Sequence, residues 1–196
     1  MSLLGSILTY NQSFVEKKAY KPFQTSKFPD QKMVVLTCMD TRLSQLLPHA
    51  MNIKNGDAKI IKNAGAVITH PYGSIMRSII VALYELKAKE VYIVGHHGCG
   101  MAGLQAESVL EKAKKHGVSE EALERLLAQG IDVNQFLSGF DKVEDSVKHS
   151  ANVVRTHPLI PHDVPVHALV ICPKTGKLDV VENGYDIVQA AKPSQQ

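Results

Sequence analysis

Short apolar runs of strand length, separated by stretches of helical period, constrain this chain more than any other feature. Met33-Val-Val-Leu-Thr-Cys38, Ala58-Lys-Ile-Ile-Lys-Asn63 and Glu90-Val-Tyr-Ile-Val-Gly95 are rich in β-branched residues, and each predicts a buried strand. Between the second and third, residues 71–86 place Ile75, Ile79, Ile80 and Leu83 at helical spacing, with Pro71 suited to a first helical turn. Strands that alternate with helices predict an α/β fold built from βαβ units around a mostly parallel sheet. Residues 104–115, 120–128 and 143–154 read as further helices, their middle part polar enough to form a small lobe. Val164-Pro-Val-His-Ala-Leu-Val-Ile-Cys172 reads as another strand. The turn Lys174-Thr-Gly176-Lys then leads into Leu178-Asp-Val-Val181 as a terminal hairpin.

The domain organisation follows from length. At 196 residues one domain is expected, with residues 1–30 as an N-terminal arm and linker, 31–182 as the α/β core and 183–196 as a C-terminal tail. The first residues are apolar but have no basic stretch in front and no cleavage site, so an amphipathic helix is expected rather than a secretory signal. Residues 192–196 are expected to fray. A formal charge of +3 without a long basic run argues against nucleic acid as a partner. No apolar stretch approaches the roughly 20 residues that a membrane helix needs. Three cysteines are an odd set, which disfavours a disulfide framework and fits reduced thiols in a cytoplasmic protein.

Two of the predicted strands deliver metal-binding residue types at their ends. Cys38 opens Cys38-Met-Asp40-Thr-Arg42, and the third strand delivers His96-His-Gly-Cys99. In parallel sheets the loops at the carboxyl ends of neighbouring strands converge on one crevice, so residues nearly sixty positions apart can share an ion. Zinc accepts Cys sulfur and His nitrogen, and a catalytic zinc keeps three protein ligands and one exchangeable position. Cys38, His96 and Cys99 would be those three. His96 is preferred to His97 because two residues before Cys99 allow a turn that points both donors inward. Free cysteines are commonly core residues, and Cys172, in an apolar strand, is read that way. Asp40 and Arg42 would project to one side of extended backbone, where Arg can clasp a carboxylate through two parallel hydrogen bonds. There Arg42 decides whether Asp40 is free to capture the metal.

Taken together, Cys38/Asp40/Arg42, Asn63-Ala64-Gly65 and His96/Cys99-Gly100 resemble the pattern of the β-class carbonic anhydrases. The resemblance covers most of residues 30–182 and is nearest to the short, compact branch of that family. It implies four parallel strands plus an edge strand flanked by helices, with an N-terminal helical arm that embraces a neighbouring subunit. It also implies zinc on Cys38, His96 and Cys99, and a homodimer or larger homo-oligomer. The implied activity is reversible hydration of carbon dioxide to bicarbonate through zinc-bound hydroxide, with Asp40 and Arg42 as the catalytic pair. Two alternatives stand beside it: hydrolysis of carbonyl sulfide or carbon disulfide, and a catalytically weak zinc-binding regulatory protein of the same fold. Ala66 and Gly98 depart from the family pattern, which commonly has Asn and Asp there.

Overall fold

The structure is a computed structural model that describes residues 2–191; the expected fraying of 192–196 lies outside the described residues. Helix α1 (Leu3–Glu16) is opened by the Ser2 hydroxyl, which accepts from the Gly5 N–H. Its leucines and isoleucine (Leu3, Leu4, Ile7, Leu8) are all exposed. Strand β1 (Met33–Cys38) leads to α2 (Leu43–Ala50), then β2 (Ala58–Asn63), α3 (Ser74–Tyr84) and β3 (Glu90–His96). Helices α4 (Ala106–Lys115), α5 (Glu120–Ala128), α6 (Val133–Leu137) and α7 (Val143–Arg155) follow, then β4 (Val166–Ile171), β5 (Leu178–Glu182) and α8 (Gly184–Ala190).

The five strands form one sheet in the order β2-β1-β3-β4-β5. The first four are parallel, and β5 closes the edge antiparallel to β4 as the expected hairpin. Alternate residues of the central strands serve opposite faces, because successive side chains point to opposite sides of a strand. Val34, Leu36, Val91, Ile93, Ala168 and Val170 pack under α3 and α7, against Met76, Ile79, Val147, Ala151 and Val154. Val35, Val94, Leu169 and Ile171 pack on the other face with Leu43 and Leu47 of α2. Covering on both faces explains why these strands read as continuous apolar runs.

Four local differences from the sequence reading have physical causes. Helix α2 was not expected: it is only eight residues long and contains Pro48, yet Leu43 and Leu47, four apart, turn one face into the core. Helix α3 begins at Ser74, because residues 71–73 form a turn in which Gly73 N–H donates to the His70 carbonyl. Residues 183–191, read as part of a tail, include α8, which docks on β4 through Gly184 N–H donating to His167 Nδ1 at 3.1 Å. Cys172 is no core residue. It lies one position beyond β4, half-buried in the hairpin turn.

The chain order places a crevice at a defined point. Helix α2 carries the chain from β1 outward to β2 on one face of the sheet, whereas the chain leaving β3 reaches β4 through α7 on the other face. Loops leaving β1 and β3 therefore part in opposite directions, which opens space at their carboxyl ends. Gly95, the residue before His96, lets α7 approach β3: a Cβ there would stand 2.7 Å from Val143 Cγ2 and 2.7 Å from Val147 Cγ1.

Candidate metal centre

Cys38 ends β1 and His96 ends β3 on adjacent strands. Cys99 follows three residues later, after Gly98 turns the chain with a φ of 63°, a left-handed conformation that glycine adopts without cost. All three side chains are buried, and their candidate ligand atoms lie within 4.8 Å of one another. The two sulfurs are 3.9 Å apart. Sulfurs held at about 2.3 Å by a tetrahedral zinc would stand about 3.8 Å from each other, so the spacing fits that ion.

The imidazole of His96 supplies a second test of fit. Its Nδ1 hydrogen-bonds the His97 carbonyl at 3.0 Å, which makes Nδ1 the protonated nitrogen because a carbonyl can only accept. Nε2 then carries a lone pair, is buried and has no protein partner. A buried polar atom left unpaired costs about 1–3 kcal/mol, and a metal ion would remove that cost. His97 is solvent-exposed and stands outside the cluster.

Each thiol is aimed by a backbone donor. Cys38 Sγ accepts from Gly65 N–H at 3.3 Å, and Cys99 Sγ accepts from Met101 N–H at 3.5 Å. Burial pushes the Cys99 thiol up, the Met101 N–H pulls it down, and the neighbouring Cys38 raises it again. A coordinating cation deprotonates a thiol outright, so a bound zinc would hold both side chains as thiolates. Gly65 and Ala66 both have positive φ, 78° and 58°, and this turn directs the Gly65 N–H to Cys38. The donor pair was not foreseen, although Asn63-Ala64-Gly65 was singled out as a motif.

Asp40 and Arg42 meet as expected, but through a turn instead of extended backbone. Arg42 takes helical dihedrals at the start of α2, and its own N–H donates to Asp40 Oδ1 at 2.9 Å. The guanidinium then clasps both carboxylate oxygens, Nε to Oδ1 at 2.9 Å and Nη2 to Oδ2 at 2.8 Å. Nη2 also donates to the Gly98 carbonyl at 2.9 Å, tying the loop after β1 to the loop after β3. Arg42 holds the Asp40 carboxyl well below the usual carboxylate range, and Asp40 in turn raises Arg42. Asp40 Oδ2 lies 3.7 Å from His96 Nε2. Above the cluster opens a pocket of about 540 Å3, lined by Met39, Asp40, Arg42, Ala64, Gly65 and Met101 among others.

The family model for carbonic anhydrase matches residues 33–178. A protein of Bacillus subtilis strain 168, YvdA, which carries a provisional carbonic anhydrase name, is 61% identical over 186 residues, 95% of this chain and 94% of that protein. A carbon disulfide hydrolase of Acidianus sp. strain A1-3 is 31% identical over 161 residues, 76% of each chain. Among solved structures, β-carbonic anhydrase isoform I of Trichomonas vaginalis superposes with a TM-score of 0.84 at 36% identity, covering 94% of this chain and 100% of that one. Fold, ligand-type residues and similarity therefore converge, and the chain belongs to the β-carbonic anhydrase family.

Proposed function

We propose that this protein catalyses the reversible hydration of carbon dioxide to bicarbonate and a proton, using zinc held by Cys38, His96 and Cys99. The observation that carries the reading is the buried, unpartnered His96 Nε2 facing two thiols, with a carboxylate alongside that is already engaged elsewhere. Zinc, when bound, would supply Lewis acidity that makes water a nucleophile near neutral pH. Asp40 stays ionised because Arg42 stabilises the carboxylate, so its role is to accept a hydrogen bond and orient the attacking water. Arg42 withholds Asp40 from the fourth coordination position and balances negative charge at the pocket floor. The apolar wall of Met39, Ala64 and Met101 suits a small uncharged substrate without hydrogen-bond donors.

No described helix is long and apolar enough to cross a membrane, and we read the protein as cytoplasmic, with its unpaired cysteines reduced. The exposed apolar side chains of α1 support a homodimer or larger assembly. Hydrolysis of carbon disulfide is the second reading, favoured by the similarity to the Acidianus enzyme. Stopped-flow assay of the zinc-loaded chain with carbon dioxide, carbonyl sulfide and carbon disulfide in parallel, from pH 7 to 9, separates them. Turnover of carbon dioxide above that of the two sulfur compounds is expected. Stoichiometric zinc without carbon dioxide turnover at pH 9 would overturn the proposal, and would leave either the sulfur substrates or a non-catalytic role.

A further inference from the structure

Asn63 stands opposite Cys38, in the last pair of the β1–β2 register. Its carbonyl accepts from Met39 N–H at 2.8 Å, which ties its main chain to β1 at the residue after Cys38. The side chain reaches the other way, across the turn that follows: Nδ2 donates to the Val67 carbonyl at 2.6 Å. A flipped amide would set oxygen against oxygen with no proton between them, so this orientation is fixed. The residues enclosed are Ala64, Gly65 and Ala66, and Gly65 N–H is the donor to Cys38 Sγ at 3.3 Å. One residue thus references the turn to the very strand that carries the thiol.

Two observations say that the tie matters. The turn is strained, since Ala66 is fully buried with a φ of 58°, and such a conformation persists only where its surroundings over-determine it. Beyond Asn63, the next side chain holding this segment is Ser150, whose hydroxyl accepts from Ile68 N–H at 3.1 Å, past the turn. Secondly, Asn63 Oδ1 is buried without a partner, which costs stability. An apolar side chain of similar size would avoid that cost, so what the amide contributes is its donor. The donor to Cys99 is held differently. Met101 uses its own carbonyl, which accepts from Phe140 N–H at 3.2 Å and lies so close to Gly139 that a Cβ there would overlap it.

We propose that Asn63 is a positioning residue for the metal centre. It acts through the 64–66 turn, keeping Gly65 N–H on Cys38 Sγ so that a backbone dipole takes up part of the thiolate charge otherwise donated to the metal. Hydrogen bonds to ligand atoms tune a bound metal in this way. The proposal rests on the metal set Cys38, His96 and Cys99, and not on the reaction assigned to it. The test loads the full chain with NMR-active cadmium and reads scalar coupling from the metal to amide protons across N–H···S. Wild type should show that coupling at Gly65 and at Met101, together with coupling from Asn63 Nδ2 to the Val67 carbonyl carbon. Asn63→Leu removes the donor at similar size and should lose the Gly65 coupling while keeping the one at Met101. Its cobalt-loaded form should move the thiolate charge-transfer band to longer wavelength, and its zinc affinity should fall about tenfold or more by chelator competition. A Gly65 coupling that survives in Asn63→Leu, or equal losses at Gly65 and Met101, would overturn the proposal. Should that variant misfold, Asn63→Asp, isosteric but without the donor, carries the same expectations. The wild type alone also decides: cadmium coupled to the Cys38 and Cys99 β-protons but not to Gly65 N–H would overturn the positioning role. Absence of the cysteine couplings would overturn the metal set itself and the role with it, so the two failures are told apart.

Discussion

Gly95→Ala is the substitution whose cost the structure specifies most closely. The added Cβ would stand 2.7 Å from both Val143 Cγ2 and Val147 Cγ1, whereas unbonded carbons settle at about 3.5–4.0 Å. Both contacts are thus short by about 1 Å, and neither can be relieved by rotating a flexible chain end. Val147 is fully buried and Val143 nearly so, and both sit on α7, so the helix must move as a unit. Overpacking of this kind costs about 1–3 kcal/mol, and two simultaneous contacts place the expectation in the upper half of that range. Val147→Ala alone leaves a cavity and should cost about 1.5–3 kcal/mol. Combined, each change removes part of the other's penalty, so the double variant should be more stable than the sum of the two losses by about 1–2 kcal/mol. Urea unfolding of the four proteins in one buffer measures this cycle. Because His96 follows Gly95 directly, the single variant should also lose zinc to a chelator more readily, and Val147→Ala should restore part of that affinity. A Gly95→Ala protein within 0.5 kcal/mol of wild type, or strictly additive losses, would refute the claim that α7 rests on Gly95.

Other expectations follow from the site and the second buried histidine. Arg42→Ala should retain stoichiometric zinc yet lose at least tenfold in carbon dioxide hydration, since Asp40 would then be free to reach the metal; unchanged turnover would remove Arg42 from the account. Cys99→Ser should lower zinc affinity at least tenfold by competition with a chromophoric chelator, with little change in far-ultraviolet circular dichroism. Burial lowers His167 below its usual value, against a smaller opposing pull from Glu90. The unfolded chain therefore binds that proton more readily, and stability contributed by neutral His167 is complete above about pH 6.5 and falls as pH drops below it. His167→Asn keeps an acceptor for the Gly184 N–H and should flatten that part of the profile, as read by thermal midpoints from pH 7.5 to 5; an unchanged slope would exclude His167 as its source.

What was legible in the sequence was whatever repeats or clusters. Strands β1 and β3 stand out because both faces are covered, so Val34 and Val35, or Ile93 and Val94, are apolar in succession. Cys38, His96 and Cys99 could be placed together once those strands were adjacent, and the sheet order makes them so. Helix α2 escaped notice because eight residues with an internal proline carry little periodic signal, and its stability comes from the tertiary burial of Leu43 and Leu47. Helix α8 escaped for the same reason: only seven residues long, it is held by His167 and Glu90 from distant strands. The Asp40–Arg42 pairing was correct in outcome, but the turn that makes it uses a backbone N–H that no spacing argument counts. The N–H donors to the two sulfurs were equally hidden, because Met101 donates from the irregular loop after β3 and Gly65 donates from a turn made by the left-handed φ of Gly65 and Ala66. Glycine gives a cue for such a conformation; alanine gives none.

The central claim is that three side chains of this chain hold zinc and leave one position open while Arg42 keeps Asp40 away. X-ray absorption at the zinc edge of the loaded protein at pH 8.5, compared with Arg42→Ala, tests it most directly. Wild type should show two sulfurs at about 2.3 Å and two lighter atoms at about 2.0–2.1 Å. One of the lighter atoms should be exchangeable with added thiocyanate or azide in wild type, and should resist exchange in Arg42→Ala. Fewer than two sulfurs, or a fourth position that resists exchange in wild type, would contradict the account.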